Sequence, residues 1–222
     1  MAIKPKSAPS APDINGTRVQ IKPPAFQVVR IKIVGNAPFV QLRFSEKAQA
    51  TIRATHAAGS VAGSKKTRTP KDFDALYEQA MYKSPDGRRG IPATAFRNGM
   101  IDACRTVNYK MTHAKMAAYV IEDGFDVDGS TPLVYFTHGE PEHFESTVRN
   151  DNGQPDIRVR GKWAPGWKMT LNIRFDSDMF SVSDVVNLVS RVGLQCGVGE
   201  GRPFSKKSAG MGWGTFTIEE GE

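Results

Sequence analysis

Cys196-Gly197-Val198-Gly199-Glu200-Gly201-Arg202-Pro203, followed by Lys206-Lys207 and then Gly210-Met211-Gly212-Trp213-Gly214, is the stretch on which the reading of this chain turns. Six glycines fall within the eighteen residues 197–214, between a run with helical spacing and a run with strand alternation. Glycine tolerates positive φ and lets another backbone come close. A cluster of glycines between two regular elements therefore reads as a loop shaped to receive something. Arg202, Lys206 and Lys207 make that loop positive, and its natural guest is an anion. Ahead of it, Ser181-Val182-Ser183-Asp184 opens a helix with Val185, Val186, Leu188, Val189 and Val192 on its apolar stripe. Gly193 ends this helix or lets it pack closely, and Thr215-Phe216-Thr217-Ile218 closes the unit as a strand.

Basic residues recur on the strands upstream. Asp156-Ile157-Arg158-Val159-Arg160-Gly161-Lys162-Trp163 alternates, turns at Ala164-Pro165-Gly166 and returns as Trp167-Lys168-Met169-Thr170-Leu171-Asn172-Ile173-Arg174-Phe175. The period of two predicts a hairpin with Arg158, Arg160 and Lys162 on one face. Such a face suits single-stranded nucleic acid, whose phosphates take the charges and whose bases take aromatic π-faces. It suits equally a solvated sheet face over core tryptophans. A second hairpin-like pair is predicted from Phe26 to Phe44, broken at Gly35-Asn36-Ala37-Pro38, with Val29, Ile31 and Ile33 on one side and Arg30 and Lys32 on the other.

Between these strands the pattern is helical and polar. Residues 46–56 suit a short helix, and 57–69 read as a flexible basic loop carrying Lys65, Lys66 and Arg68. Gly59…Gly63-Ser64-Lys65 is not a phosphate-binding P-loop, which needs four residues between its glycines and Lys directly after the second. Thr69-Pro70 suits a helix start, with Phe73, Leu76, Tyr77 and Ala80 at helical spacing before the turn Ser84-Pro85-Asp86-Gly87 and the pair Arg88-Arg89. A further helix is predicted from Ala93, with Phe96, Met100, Ala103 and Cys104 inward. Its N-terminal amides, with Arg97 nearby, offer positive charge to a phosphate. Residues 109–121 fit helix and strand alike. From Val120 to Thr147 there is no Lys or Arg, while seven carboxylates from Glu122 to Glu145 predict a solvated acidic face or one that docks on a basic neighbour. Asp126-Val127-Asp128-Gly129 resembles the middle of a calcium loop, but Gly124 and Tyr135 stand where its first and twelfth ligands belong.

At 222 residues the chain can bury one sizeable core or two small ones. No run approaches the roughly 18 apolar residues of a membrane span. The net charge of +7 favours a polyanionic partner. Cys104 and Cys196 lack the spacing of a zinc or redox motif and read as small buried residues in a reducing compartment. Residues 1–25, with Lys4-Pro5-Lys6, Pro9, Pro12 and Pro23-Pro24, predict a mobile arm, either a plain tail or a reach to a neighbouring subunit. That arm lacks the apolar core of a signal peptide, so a cytoplasmic location is expected. No cofactor is expected, because Gly197–Arg202 lacks the last glycine of a dinucleotide fingerprint and follows a helix.

Two stretches together resemble the repeat-associated (RAMP) superfamily of CRISPR proteins. Gly90-Ile91-Pro92-Ala93-Thr94-Ala95-Phe96-Arg97-Asn98-Gly99-Met100-Ile101 is similar to the family's lead-in to its first helix. Gly197–Pro203, with Gly210, Gly212, Trp213, Gly214 and Phe216, resembles its C-terminal glycine-rich loop running into the last strand. The resemblance covers about residues 26–220. It implies an α+β fold, a ferredoxin-like (RRM-like) antiparallel sheet palm forming one domain over 26–222, with helical and hairpin insertions at about 46–89 and 120–147. It further implies a backbone subunit that oligomerises along a single-stranded guide RNA as a helical filament, beside other effector subunits. In the family the helix lead-in and the glycine loop touch the RNA backbone; the matching positions are Arg97 and Gly199 to Arg202. The acidic segment would then be a thumb or a neighbour-docking surface. The 57–69 loop has no counterpart, and no Asp aligns with the target-cleaving aspartate of some backbone subunits, so target cleavage is not expected.

The residues expected to contact nucleic acid are therefore Arg97, Arg158, Arg160, Lys162, Gly199, Gly201, Arg202, Lys206, Lys207, Lys65, Lys66, Arg68, Arg88 and Arg89, with no catalytic residue and no metal. A phage-type protein that binds or anneals single-stranded DNA on the same fold is an alternative. A metal-independent guide-processing endoribonuclease is another, and it needs a His as general base. His138 and His143 lie in the acidic stretch and His113 among apolar residues, which leaves His56 beside the basic loop.

Overall fold

The computed structural model describes residues 21–43, 72–149, 153–205 and 210–219. In chain order the elements are β1 (Phe26–Gly35), β2 (Phe39–Gln41), α1 (Phe73–Gln79), β3 (Gly90–Pro92), α2 (Ala93–Ala103), α3 (Met111–Ala117), β4 (Ala118–Ile121), β5 (Gly124–Phe125), β6 (Pro132–His138), β7 (Pro141–Arg149), β8 (Pro155–Trp163), β9 (Lys168–Asp176), α4 (Val182–Arg191) and β10 (Phe216–Ile218), with a 3-10 turn at Cys104–Val107 and a π-turn at Val192–Cys196. The fold is α+β with antiparallel sheets. The helix expected at 46–56 and most of the N-terminal arm lie outside the described residues.

The main sheet is built around β1 and β9, which pair antiparallel from Phe26 opposite Asp176 to Val34 opposite Lys168. β10 adds to the free edge of β1, while β4 and β6 share the far edge of β9. β3 and β5 extend β6. Alternation sets which face is covered: Ile31, Ile33, Met169, Leu171 and Ile173 are buried, whereas Arg30, Lys32 and Arg174 are exposed. α2 and α4 cover the apolar face, with Phe96, Met100 and Val189 meeting Leu171 and Ile173. The helices come close because position 99 is Gly; a Cβ there would lie 2.7 Å from Val192 Cγ1.

A second, three-stranded sheet has the order β2-β8-β7. It corrects both expected hairpins. β8 does not pair with β9; it folds back on β7, from Pro141 opposite Trp163 to Arg149 opposite Pro155. β2 does not pair with β1 but lies along β8. The chain thus changes sheets at Asn36–Pro38, Gly139–Glu140 and Ala164–Trp167. The reason is aromatic burial. Trp163 and Trp167 flank the Ala164-Pro165-Gly166 turn, both are fully buried, and they pack with Phe39 and Phe136 between the sheets. Trp167 lies directly on Gly35, and its Nε1 donates to the carbonyl of Ala37 at 2.9 Å.

Other local expectations fare variously. α2 and α4 have the inward residues their spacing predicts, and 109–121 resolves into α3 running directly into β4. α1 is capped by Asp72, whose carboxylate accepts from the Ala75 amide. The 120–147 segment, expected as an insertion, supplies strands to both sheets. Its acids are partly consumed internally. Asp126 is buried against Arg43 at 2.7 Å and accepts from the Lys83 amide, Asp128 accepts from the Ser130 and Thr131 amides, and Glu140 pairs with Arg89. Cys104 and Cys196 are buried free thiols whose pKa values burial pushes up, so neither is a ready thiolate. Among the described residues no helix is long and apolar enough to cross a membrane.

Candidate functional site

Period two brings Arg158, Arg160 and Lys162 of β8 onto one face, opposite Ser146, Phe144 and Glu142 of β7 respectively. The glycine-rich loop lies over this face. It is docked there by its own backbone, since the Glu200 amide donates to Val40 O and the Gly214 amide donates to Pro38 O. The two limbs of the loop are tied where the Val198 amide donates to Gly214 O at 2.9 Å. Close contact makes glycine obligatory at two of these points. At Gly199, with φ +80°, a Cβ would lie 2.6 Å from Val40 O. At Gly214, with φ +68°, it would overlap Val198 O. Gly199 serves the loop's seating on β2 and Gly214 the closure of its two limbs, uses the cluster in sequence does not distinguish from ligand binding.

Between the loop and the β7–β8 face runs a groove of about 590 Å³. Arg158, Arg160, Gly199, Gly201 and Arg202 of the expected set line it. Phe144, Ser146 and Trp213 join them, the Phe144 and Trp213 rings meeting edge to face at 5.9 Å and Trp213 packing over Gly201. Lys162 continues the same face, with its Nζ 4.9 Å above the Phe144 ring. Ser205 and Met211, on either side of the undescribed 206–209, both line the groove.

The cations here differ in what they already hold. Arg160 is almost fully buried and forks onto Glu200, with Nε to Oε2 at 2.5 Å and Nη2 to Oε1 at 2.7 Å, and donates also to Ser146 Oγ. It is an anchor between β8 and the loop, its guanidinium already paired with a carboxylate. Arg202 donates to Gly199 O at 2.9 Å and Phe204 O at 3.1 Å, bracing the loop from within while lining the groove. The Arg158 guanidinium is half-buried and meets no carboxylate among the described residues. Among the described residues Glu200 is the one carboxylate of the groove lining.

Three expected residues lie elsewhere. Arg97 lies away from this groove; it donates to the Ala118 and Lys115 carbonyls, closing the C-terminus of α3, and stacks on Tyr119 at 5.2 Å. Arg88 pairs with Asp86 and covers the Tyr135 ring, and Arg89 pairs with Glu140 and Glu78. Both line a separate small hollow near Phe136–Glu140. Lys65, Lys66, Arg68, Lys206, Lys207 and His56 lie outside the described residues.

The sequence reading missed Phe144 and Ser146 because they lie in the acidic stretch, judged by its charge. Their signal is the alternation Glu142, Phe144, Ser146, Val148, which places all four on the same sheet face as Arg158, Arg160 and Lys162, the first three directly across from those cations. His143, on the other face of β7, stacks on Tyr77 at 5.0 Å and meets Glu145. The chain matches no protein-family model, and no curated protein is significantly similar to it.

Proposed function

We propose that this chain binds single-stranded nucleic acid through the groove between the glycine-rich loop and the β7–β8 face, with little preference for sequence. One observation carries the reading: Arg158 and Arg202 line a single groove together with Phe144 and Trp213, whose half-buried rings meet edge to face. Phosphates suit the former and bases the latter. Little preference is expected because the lining offers few polar side chains to read base edges.

The narrower form of the proposal is a ferredoxin-like palm of the RAMP type, repeating along a guide RNA with further copies and other effector subunits. In support of the palm, β10-β1-β9-β4 run in the order fourth, first, third, second, with α2 between the first and second strands and α4 between the third and fourth. In support of the family stand the 90–101 motif, which spans β3 and most of α2, and the glycine-rich motif, whose Gly199–Arg202, Met211 and Trp213 line the groove.

The test is fluorescence anisotropy of labelled oligouridine and oligothymidine over a range of salt, comparing wild type with Arg158→Ala/Lys162→Ala. Wild type should bind both more weakly as salt rises, and the variant should lose about 0.7 from the slope of log K on log salt for each phosphate contact removed. Preference for RNA over DNA of the same length would favour the guide-RNA form, since it demands contacts to the 2′-OH. Equal affinity and slope for variant and wild type would remove the groove from the function.

A further inference from the structure

The face of the main sheet turned away from α2 and α4, which the described residues leave open, carries a second concentration of positive charge and aromatic rings. Phe26 and Arg174 meet there with the guanidinium carbon 4.1 Å from the ring centroid. Tyr119 lies opposite Arg174 in register, 6.3 Å from Phe26 between centroids, and Arg97 reaches round from α2 to cover it. Arg30 and Lys32 continue outward along β1. Two carboxylates on this face are already engaged: Glu219 by Lys168, which with the neighbouring Lys32 holds its pKa below the ordinary carboxylate range, and Asp176 by the amides of Ala25 and Asp178. Charge and π-surface thus alternate over this one face.

We propose that this face is a further contact surface for single-stranded nucleic acid, Phe26 and Tyr119 stacking on bases and Arg30 and Lys32 meeting phosphates. The chemistry is complementary at each point. A guanidinium held against a ring leaves the opposite ring face for a base, and a solvated strand cation gains by releasing the counterions of a phosphate. An ordinary solvated sheet face needs neither aromatic rings nor an excess of one charge. The inference rests on the reading of the chain as a nucleic-acid binder, but it assigns different residues from the groove.

The experiment titrates labelled oligouridine against four forms of the full chain: wild type, the groove variant Arg158→Ala/Lys162→Ala, the face variant Tyr119→Ala and the face variant Arg30→Glu/Lys32→Glu. Tyr119→Ala should bind roughly five- to a hundredfold more weakly, the range for removing one stacking side chain. Arg30→Glu/Lys32→Glu alters only exposed strand positions, which keeps the test valid should Tyr119→Ala unfold; it should weaken binding and flatten the salt slope. Face variants that bind like wild type while the groove variant fails would overturn this inference and leave the groove standing. Weakened face variants beside a normal groove variant would uphold the inference and remove the groove. Absence of binding by wild type at low salt would overturn both.

Discussion

At Gly214 two demands coincide: φ is +68°, and the space a side chain needs holds the carbonyl oxygen of Val198. Alanine there incurs the cost of a left-handed backbone and also breaks the amide-to-carbonyl bond that ties the two limbs of the loop. Gly214→Ala is expected to lower stability by about 3–5 kcal/mol, read as a reduced midpoint in urea unfolding. A variant with the wild-type midpoint would mean the limbs are not tied as described. Gly199 carries a related demand from Val40 O and the Phe39 ring, so Gly199→Val should destabilise as well as weaken binding. Here the limit of the sequence is plain. A glycine records that a side chain is excluded, but not whether a ligand or the protein's own strand excludes it. Arg160 teaches the same lesson, because its place among alternating cations gave no sign that Glu200 would take its Nε and Nη2.

The elements were more legible than their partners. α4 has an apolar stripe and a capping box, Ser181 Oγ accepting from the Asp184 amide while the Asp184 carboxylate accepts from the Ser181 amide. Ser181→Ala should cost about 1 kcal/mol. The Ser181 hydroxyl, and secondarily its amide, hold the Asp184 pKa below the ordinary carboxylate value. A depressed pKa means the carboxylate's contribution is fully present above the unfolded-state value and is lost as pH falls through the folded one. The stability gap between wild type and Asp184→Asn should therefore be constant near neutrality and close below about pH 4; a gap unchanged down to pH 2 would show that the charge plays no part. Strands β8 and β9 were equally visible from their alternation, yet their pairing was not. Alternation specifies which side chains share a face and is silent on which strand lies alongside. The short turn between them suggested a hairpin, but two fully buried tryptophans gain more by packing between sheets, and each strand then finds its ladder elsewhere.

At the scale of the whole molecule, the groove exists because the loop leaving α4 crosses to the second sheet, and the Arg160–Glu200 pair holds it there. The two partners are unequally buried: the Arg160 side chain is 4 % exposed and that of Glu200 35 %. Loss of the glutamate charge leaves a cation inside the protein with Ser146 as its remaining side-chain acceptor, whereas loss of the arginine leaves a carboxylate that water can reach. Glu200→Gln should accordingly cost about 2 kcal/mol, more than Arg160→Met. Binding should move the other way. Among the described residues Glu200 is the only carboxylate in the groove lining, so neutralising it removes repulsion toward a phosphate. Glu200→Gln is thus expected to melt earlier and yet bind oligouridine more tightly at low salt, with the advantage fading as salt screens the charge. A brace with no ligand beside it would lose stability and leave binding untouched, so measuring both quantities on this one variant separates a groove that meets phosphate from a seam that merely joins two sheets.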